Sequence, residues 1–272
     1  MNQKTFFSII IPTLNEEKYL PKLLKDLSVQ TFSNFEVIVV DGNSIDNTVK
    51  IAKSFSQKLN ISIITSPKRH VCTQRNLGAK HAKSKLLVFS DADNRLPKYF
   101  LQGLKYRWEA SKADIITPYI EPDIKNAQNN AIAKAFNLFL EAQKSIKTKA
   151  LLEALVLFNS KSFHKIGGFN DKIDYAEGID IMRKAEKLNL TRQVIKDPSY
   201  SFSFRRFRKY GILNAIGRIA NVSLSTLIEG HSNEKAKRLY PMLGGTLFDE
   251  SETNKNKVKD KIMQLLKKIQ EL

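Results

Sequence analysis

Four short runs rich in aliphatic and β-branched residues, Phe6–Ile11, Phe35–Val40, Ile61–Thr65 and Leu86–Ser90, are separated by segments with helical spacing. This alternation, with short connections, predicts an α/β fold: a doubly wound, mostly parallel sheet with crossover helices on its faces. The first helix shows Leu20, Leu23, Leu24 and Leu27 on one stripe, with Asn15 placed to cap it and Glu16 and Glu17 in its first turn. Ser44 is placed to cap the second, which turns Val49, Ala52 and Phe55 inward, and the third spans about Thr73–Ala82. Right-handed crossovers bring ligands to the carboxyl ends of such strands. Those ends are Pro12–Glu16, Asp41–Ser44, Ser66–Arg69 and Asp91–Asp93, and every one carries polar or charged residues.

Beyond Asp93 the pattern is mixed. Pro97 opens a helix to about Trp108, Asp114–Pro118 reads as a strand, and Asn126–Lys147 reads as a long helix. Its apolar face is Ile132, Ala135, Phe136, Phe139, Ala142 and Ile146. A strand at Leu155–Phe158, a short helix to Ile166, the turn Gly167-Gly168, a helix at Glu177–Leu188 and a strand at Arg192–Ile195 complete the series. One domain over 1–197 followed by a basic, amphipathic extension over 198–272 is the organisation these patterns predict.

A chain of 272 residues with 42% hydrophobic and 26% charged residues is long enough for a sizeable core. Its apolar runs fall short of the roughly 20 residues of a spanning helix. The single cysteine, Cys72, excludes an internal disulfide framework, so a reducing cytoplasm is the expected setting. The net charge of +18 points to anionic partners: phosphorylated substrates, anionic lipid or nucleic acid.

The sharpest chemistry lies in Leu86-Leu-Val-Phe-Ser-Asp-Ala-Asp93. Residues two apart in an extended chain point the same way, so Asp91 and Asp93 can face one ion. A hard cation such as Mg²⁺ or Mn²⁺ takes one or two carboxylates plus phosphate oxygens. The plainer reading of the pair is an acidic turn before the helix at Pro97.

The chain resembles family 2 glycosyltransferases of the GT-A fold in Ser8-Ile-Ile-Ile-Pro-Thr-Leu-Asn-Glu16, Val39-Val-Asp-Gly-Asn-Ser-Ile-Asp-Asn-Thr48, Arg75-Asn-Leu-Gly-Ala79 and Phe89-Ser-Asp-Ala-Asp93. Gly167-Gly-Phe-Asn170 and Ala176-Glu-Gly-Ile-Asp180 extend the match to about residues 5–190. The resemblance implies an inverting, metal-dependent transfer from a nucleotide-diphosphate sugar to a glycan or lipid-linked acceptor. It implies that Pro12, Thr13 and Glu16 line the nucleotide pocket, with Asp41 near the base or ribose. Arg75 would approach the nucleotide or diphosphate, and Asp91 and Asp93 would hold ribose and Mg²⁺ or Mn²⁺. For Asn76 and Gly78, packing and binding are both open.

Two positions depart from the pattern. Gly42 stands where many relatives carry a second acid after Asp41. Gly178 stands where relatives carry the Asp expected as general base. Glu177, Asp180 and Asp174 are the carboxylates left for that role.

Ser201-Phe-Ser-Phe-Arg-Arg-Phe-Arg-Lys-Tyr210 interleaves rings and cations. Arg205, Arg206 and Arg208 suit a diphosphate or an anionic membrane surface, and single-stranded nucleic acid is the third reading. A peripheral place on the cytoplasmic face of a membrane follows from the second. Gly211–Ile228 and the repeat Val258, Ile262, Leu265, Ile269, Leu272 offer amphipathic surfaces, and His231 is a candidate metal ligand. The rival to a transferase is a basic nucleic-acid- or membrane-binding protein with a catalytically weakened domain. A nucleotidyltransferase would carry a glycine-rich basic loop after its first strand, and Pro12–Glu16 lacks one.

Overall fold

A computed structural model describes residues 5–143, 151–173 and 177–211. Asp174, the end of the helix predicted to Lys147, His231 and nearly all of the two C-terminal amphipathic stretches lie outside these described residues. The described chain forms a seven-stranded sheet in the order β3-β2-β1-β4-β6-β5-β7. The strands are β1 (Phe7–Thr13), β2 (Phe35–Asp41), β3 (Ile61–Thr65), β4 (Leu86–Ser90), β5 (Ile115–Pro122), β6 (Leu155–Asn159) and β7 (Arg192–Phe202). Strands β1 to β4 are mutually parallel, β6 runs antiparallel between β4 and β5, and β7 lies parallel to β5.

Three of the four sequence runs bury both faces as strands, and β3, at the sheet edge, is half-buried. Phe7, Ile9 and Ile11 of β1 join one core cluster, and Ile10 joins the other. Val37 and Val39 alternate with Ile38 and Val40 on β2, Leu86 and Val88 with Leu87 and Phe89 on β4, as period-two side chains require. Helices α1 (Leu20–Ser28), α2 (Thr48–Ser54) and α4 (Phe100–Ser111) take the first cluster, and α3 (Val71–His81) and α6 (Ser160–Lys165) the second. Helix α5 is Ala127–Ala142, α7 Glu177–Lys187 and α8 Arg205–Tyr210.

Gly78 shows how closely α3 lies on the sheet: a Cβ there would meet Ile10 Cγ2 at 2.4 Å and Val40 Cγ2 at 3.1 Å. Its role is packing. Gly78→Ala is expected to cost about 1–3 kcal/mol, read from denaturant midpoints at unchanged m-value.

Three sequence expectations shift. Phe139, placed on the inner face of α5, is 51% exposed, while Ala133 and Leu140 are buried. The helix is rotated because Asn137 brackets Ile120, accepting from its N–H at 3.0 Å and donating to its carbonyl at 2.9 Å. Strand β7 runs seven residues past Ile195, pairing Tyr200, Ser201 and Phe202 with Ile120, Glu121 and Pro122. Position 198 therefore lies inside a strand, and Tyr200, Phe204 and Phe207 belong to the core. No helix among the described residues is long and apolar enough to cross a membrane.

Candidate active site

The reversal in strand order falls between β1 and β4, so the crevice there opens at their carboxyl ends. Strand β1 ends in Thr13, whose hydroxyl lies 3.2 Å from Asp41 Oδ1. The buried Asp41 accepts from the Ser44 N–H and hydroxyl at 2.9 and 2.6 Å. Pro12 is buried in β1 and opposite Val40. A Cβ on Gly42 would come within 3.2 Å of the Thr13 carbonyl and 3.1 Å of Gln74, so this wall is closed tightly.

Neither Asn15 nor Ser44 caps a helix. Helix α1 starts later, at Leu20 with Pro21 in its first turn, which suits proline's fixed φ. Asn15 instead takes a left-handed turn at φ 54°. Its N–H donates to Ser44 Oγ at 2.8 Å and its side chain accepts from the Ile45 N–H at 2.9 Å. These bonds tie the first two strand ends into one rim. Helix α2 begins at Thr48, whose N–H is capped by Asp46 Oδ1 at 2.9 Å.

Asp91-Ala92-Asp93 is held by β6. The Asp91 N–H donates to the Ala154 carbonyl at 2.8 Å, and buried Asn94 donates to the same carbonyl and to Ser90 Oγ. Ala92 is buried, which leaves both flanking carboxylates on the cleft side. Asn94 was not singled out in the sequence, although its place next to the acidic pair is its only signal.

Arg75, on α3, is buried at the centre of the acids. Its Nη2 donates to Asp91 Oδ1 at 2.9 Å and to the Glu153 carbonyl at 3.3 Å, and its Nη1 lies 3.5 Å from Glu177 Oε1. The guanidinium sits 5.2 Å from the Phe169 ring centroid. Burial disfavours its charge, but Asp91 and Glu177 outweigh that and hold its pKa above the usual arginine value. At Asp91 crowding by protein pushes the carboxyl pKa up against the pull of Arg75, although 37% of its side chain still meets the open cleft. Asn76 is spent on packing: it donates to the Phe169 carbonyl at 2.8 Å and accepts from the Phe169 N–H at 3.0 Å.

A second guanidinium comes from the far end of the described chain. Arg205 Nε lies 2.9 Å from Asp93 Oδ2, and its Nη2 lies 3.2 Å from Glu16 Oε1. Tyr19 lies beneath it, 5.1 Å to the ring centroid. Burial pushes the Glu16 carboxyl up to about 7, against the attraction of Arg205 and with repulsion from Asp93. Arg208 makes a two-pronged pair with Asp123, 2.8 Å on each prong, and so anchors α8. Arg206 is half-buried on the same helix.

The start of α7 faces this cluster. Glu177 is buried and Asp180 pairs with Lys184 at 2.8 Å. Between them Gly178 lies against Glu153, a half-buried residue two positions before β6. Sequence reasoning passed over Glu153, because it reads as one acid in the apolar run Leu151–Phe158.

No group of three or more His, Cys, Asp or Glu side chains among the described residues is arranged to hold a metal by itself. Asp91 and Asp93 nevertheless fit a divalent ion that completes its shell with phosphate and water. Both carboxylates share the cleft side, and Asp93 already binds a cation in Arg205.

An open α/β sheet with this acidic and cationic crevice defines a nucleotide-sugar-binding fold of GT-A type. The glycosyl transferase family 2 model matches residues 8–183, and the chain belongs to that family. Staphylococcus aureus poly(ribitol-phosphate) beta-N-acetylglucosaminyltransferase TarS is 36% identical over 114 residues, 40% of this chain and 20% of that protein. A Methanococcus voltae dolichyl N-acetyl-alpha-D-glucosaminyl phosphate 3-beta-D-2,3-diacetamido-2,3-dideoxy-beta-D-glucuronosyltransferase is 38% identical over 103 residues, 36% of this chain and 32% of that protein. The match thus spans a third or less of these curated relatives.

Solved structures agree on the fold. Residues 1-349 of S. aureus TarS in complex with UDP-GlcNAc superpose with TM-score 0.60 at 24% identity, covering 73% of this chain and 58% of that one. The Pyrobaculum calidifontis mannosyltransferase PcManGT with GDP-Man and Mn2+ gives TM-score 0.59 at 18% identity, covering 81% and 65%.

Proposed function

We propose that the protein transfers a sugar, with inversion, from a nucleotide-diphosphate donor to a hydroxyl of a glycan or lipid-linked acceptor. The observation that carries this reading is the meeting of Asp91 and Asp93 with Arg75 and Arg205 at the β1/β4 crevice. Carboxylates alone would repel a diphosphate. The buried Arg75, the half-buried Arg205 and a divalent ion would together reverse that sign.

The Thr13–Asp41–Ser44 rim is placed for the base and ribose, and Pro12 forms the floor. Glu16 keeps Arg205 over the crevice. The diphosphate offers Arg205 a further anion of fork-matching geometry. Asp91 and Asp93 would hold Mg²⁺ or Mn²⁺, which would supply Lewis-acid stabilisation of the leaving diphosphate. The acceptor proton goes to a carboxylate near α7, where Glu177 and Asp180 are the candidates that the family resemblance offers. The named activities of TarS and the Methanococcus enzyme support acceptors that are glycans or lipid-linked sugars. The net charge of +18 supports a peripheral contact with anionic membrane at the cytoplasmic face. Arg205 and Arg208, being turned onto protein carboxylates, are assigned to the site and its support.

A thermal-shift panel tests the reading. UDP-GlcNAc, GDP-mannose and a dTDP-sugar are each added with and without Mn²⁺. At 100 times its Kd one donor is expected to stabilise the fold by about 2.7 kcal/mol, and only in the presence of metal. Absence of metal-dependent stabilisation by all donors would sink the proposal. With the donor identified, nucleotide release by Glu177→Gln and Asp180→Asn measures their share in the chemistry.

A further inference from the structure

Glycine at position 178 has a physical cause, and that cause is a carboxylate. A Cβ on Gly178 would lie 2.1 Å from Glu153 Oε1, 2.7 Å from Glu153 Cδ and 2.5 Å from the Leu151 carbonyl oxygen. No side chain fits there while Leu151–Glu153 lies against α7. The volume that an acid at 178 would take is filled by the acid of Glu153.

This carboxylate belongs to the crevice by its backbone as well. The Glu153 carbonyl accepts from Arg75 Nη2, and the next carbonyl, of Ala154, holds the Asp91 N–H and the Asn94 side chain. Antiparallel pairing of Leu155 with Ser90 sets that register. Glu153 is therefore fixed beside the acidic pair by the sheet itself, on the α7 side.

The two competing acids among the described residues are already engaged. Glu177 is buried and faces Arg75 Nη1, and Asp180 is paired with Lys184. Glu153 is half-buried, and no cation among the described residues closes on its side chain. Burial, then Glu177, push its pKa well above the usual carboxylate range while Arg75 opposes them, which raises its proton affinity.

We propose that Glu153 is the general base of the transfer, standing in from the turn before β6 for the acid that α7 lacks at Gly178. The assignment rests on the transferase reading above. In the step, the Glu153 carboxylate takes the proton of the attacking hydroxyl, whose oxygen forms its bond to the anomeric carbon. The bond from that carbon to the diphosphate oxygen breaks, and its electron pair leaves with the nucleoside diphosphate.

The test uses the full chain, Mn²⁺ and whichever of UDP-GlcNAc or GDP-mannose stabilises it, with water as the acceptor. Release of nucleoside diphosphate is measured. Glu153→Gln is expected to keep the wild-type donor-induced thermal shift and to release product at least ~100-fold more slowly. Glu153→Ala should be equally slow and recover in part with added formate, a small carboxylate able to enter the vacated space. A purely positioning role would give no formate rescue, and that result overturns the assignment. So does wild-type release by Glu153→Gln. Failure of the wild type itself to bind or cleave any donor overturns the transferase reading, a separate outcome.

Discussion

Arg75→Ala is expected to lower the stability of the unliganded fold by about 3–5 kcal/mol, the largest loss from a single substitution in the crevice. Arg75 is the cation for Asp91 and Glu177, and it also braces the Glu153 carbonyl and the Phe169 ring. Its removal leaves carboxylates crowded together with no counter-charge. The variant carries its own check through pH. Without the opposing pull of Arg75 the folded-state pKa of Asp91 rises further, so the native state binds more protons than the unfolded chain. Part of the lost stability should return as pH falls from 7.5 toward 5, whatever the wild type does over that range. Denaturant midpoints at both values measure it. A variant as stable as wild type at pH 7.5 would show that Arg75 is not the keystone of the cluster.

Asp93→Asn is expected to fail in the opposite way. Asparagine keeps the shape and can remain beside Arg205, so the unliganded protein should fold with an unchanged far-UV spectrum. What disappears is the metal-dependent part of donor binding, together with a fall in turnover of about 10²–10³-fold. The two variants separate a residue that holds the site together from one that holds the ligand. If Asp93→Asn still shows full Mn²⁺-dependent stabilisation by donor, the ion is held elsewhere.

Much of this site is legible in the chain because it sits at strand ends. The runs at Phe6, Phe35 and Leu86 declare their strands through buried apolar residues and that at Ile61 through a half-buried β-branched one, and topology alone puts the polar residues that follow at the carboxyl ends of the sheet. Asp91 and Asp93 are legible for that reason. The helix caps read at Asn15 and Ser44 are not what the structure contains: Asn15 bonds across the rim to Ser44 and Ile45, and the Ser44 hydroxyl accepts from Asn15 while donating to Asp41. Local preference lost to a contact 29 residues away.

Glu153 was illegible for a stronger reason. Its meaning depends on β6 entering the sheet antiparallel to β4, and on α7 returning to lie against the segment before it. Neither is encoded by spacing. Gly178 did carry a signal, a missing acid, but only three-dimensional packing says what replaced it. The inner face of α5 was misread because Asn137, a polar residue, sets the rotation through its two bonds to Ile120.

The pairing of Glu16 with Arg205 spans 189 residues, almost the whole described chain. During synthesis the first strands, and with them Glu16, Asp91 and Asp93, leave the ribosome well before Arg205 exists. A nascent chain ending short of α8 can form the β1–β4 half of the sheet, but its crevice carries acids that lack one of their two arginines. The second arginine of the crevice thus depends on the β5–β7 pairing that leads into α8.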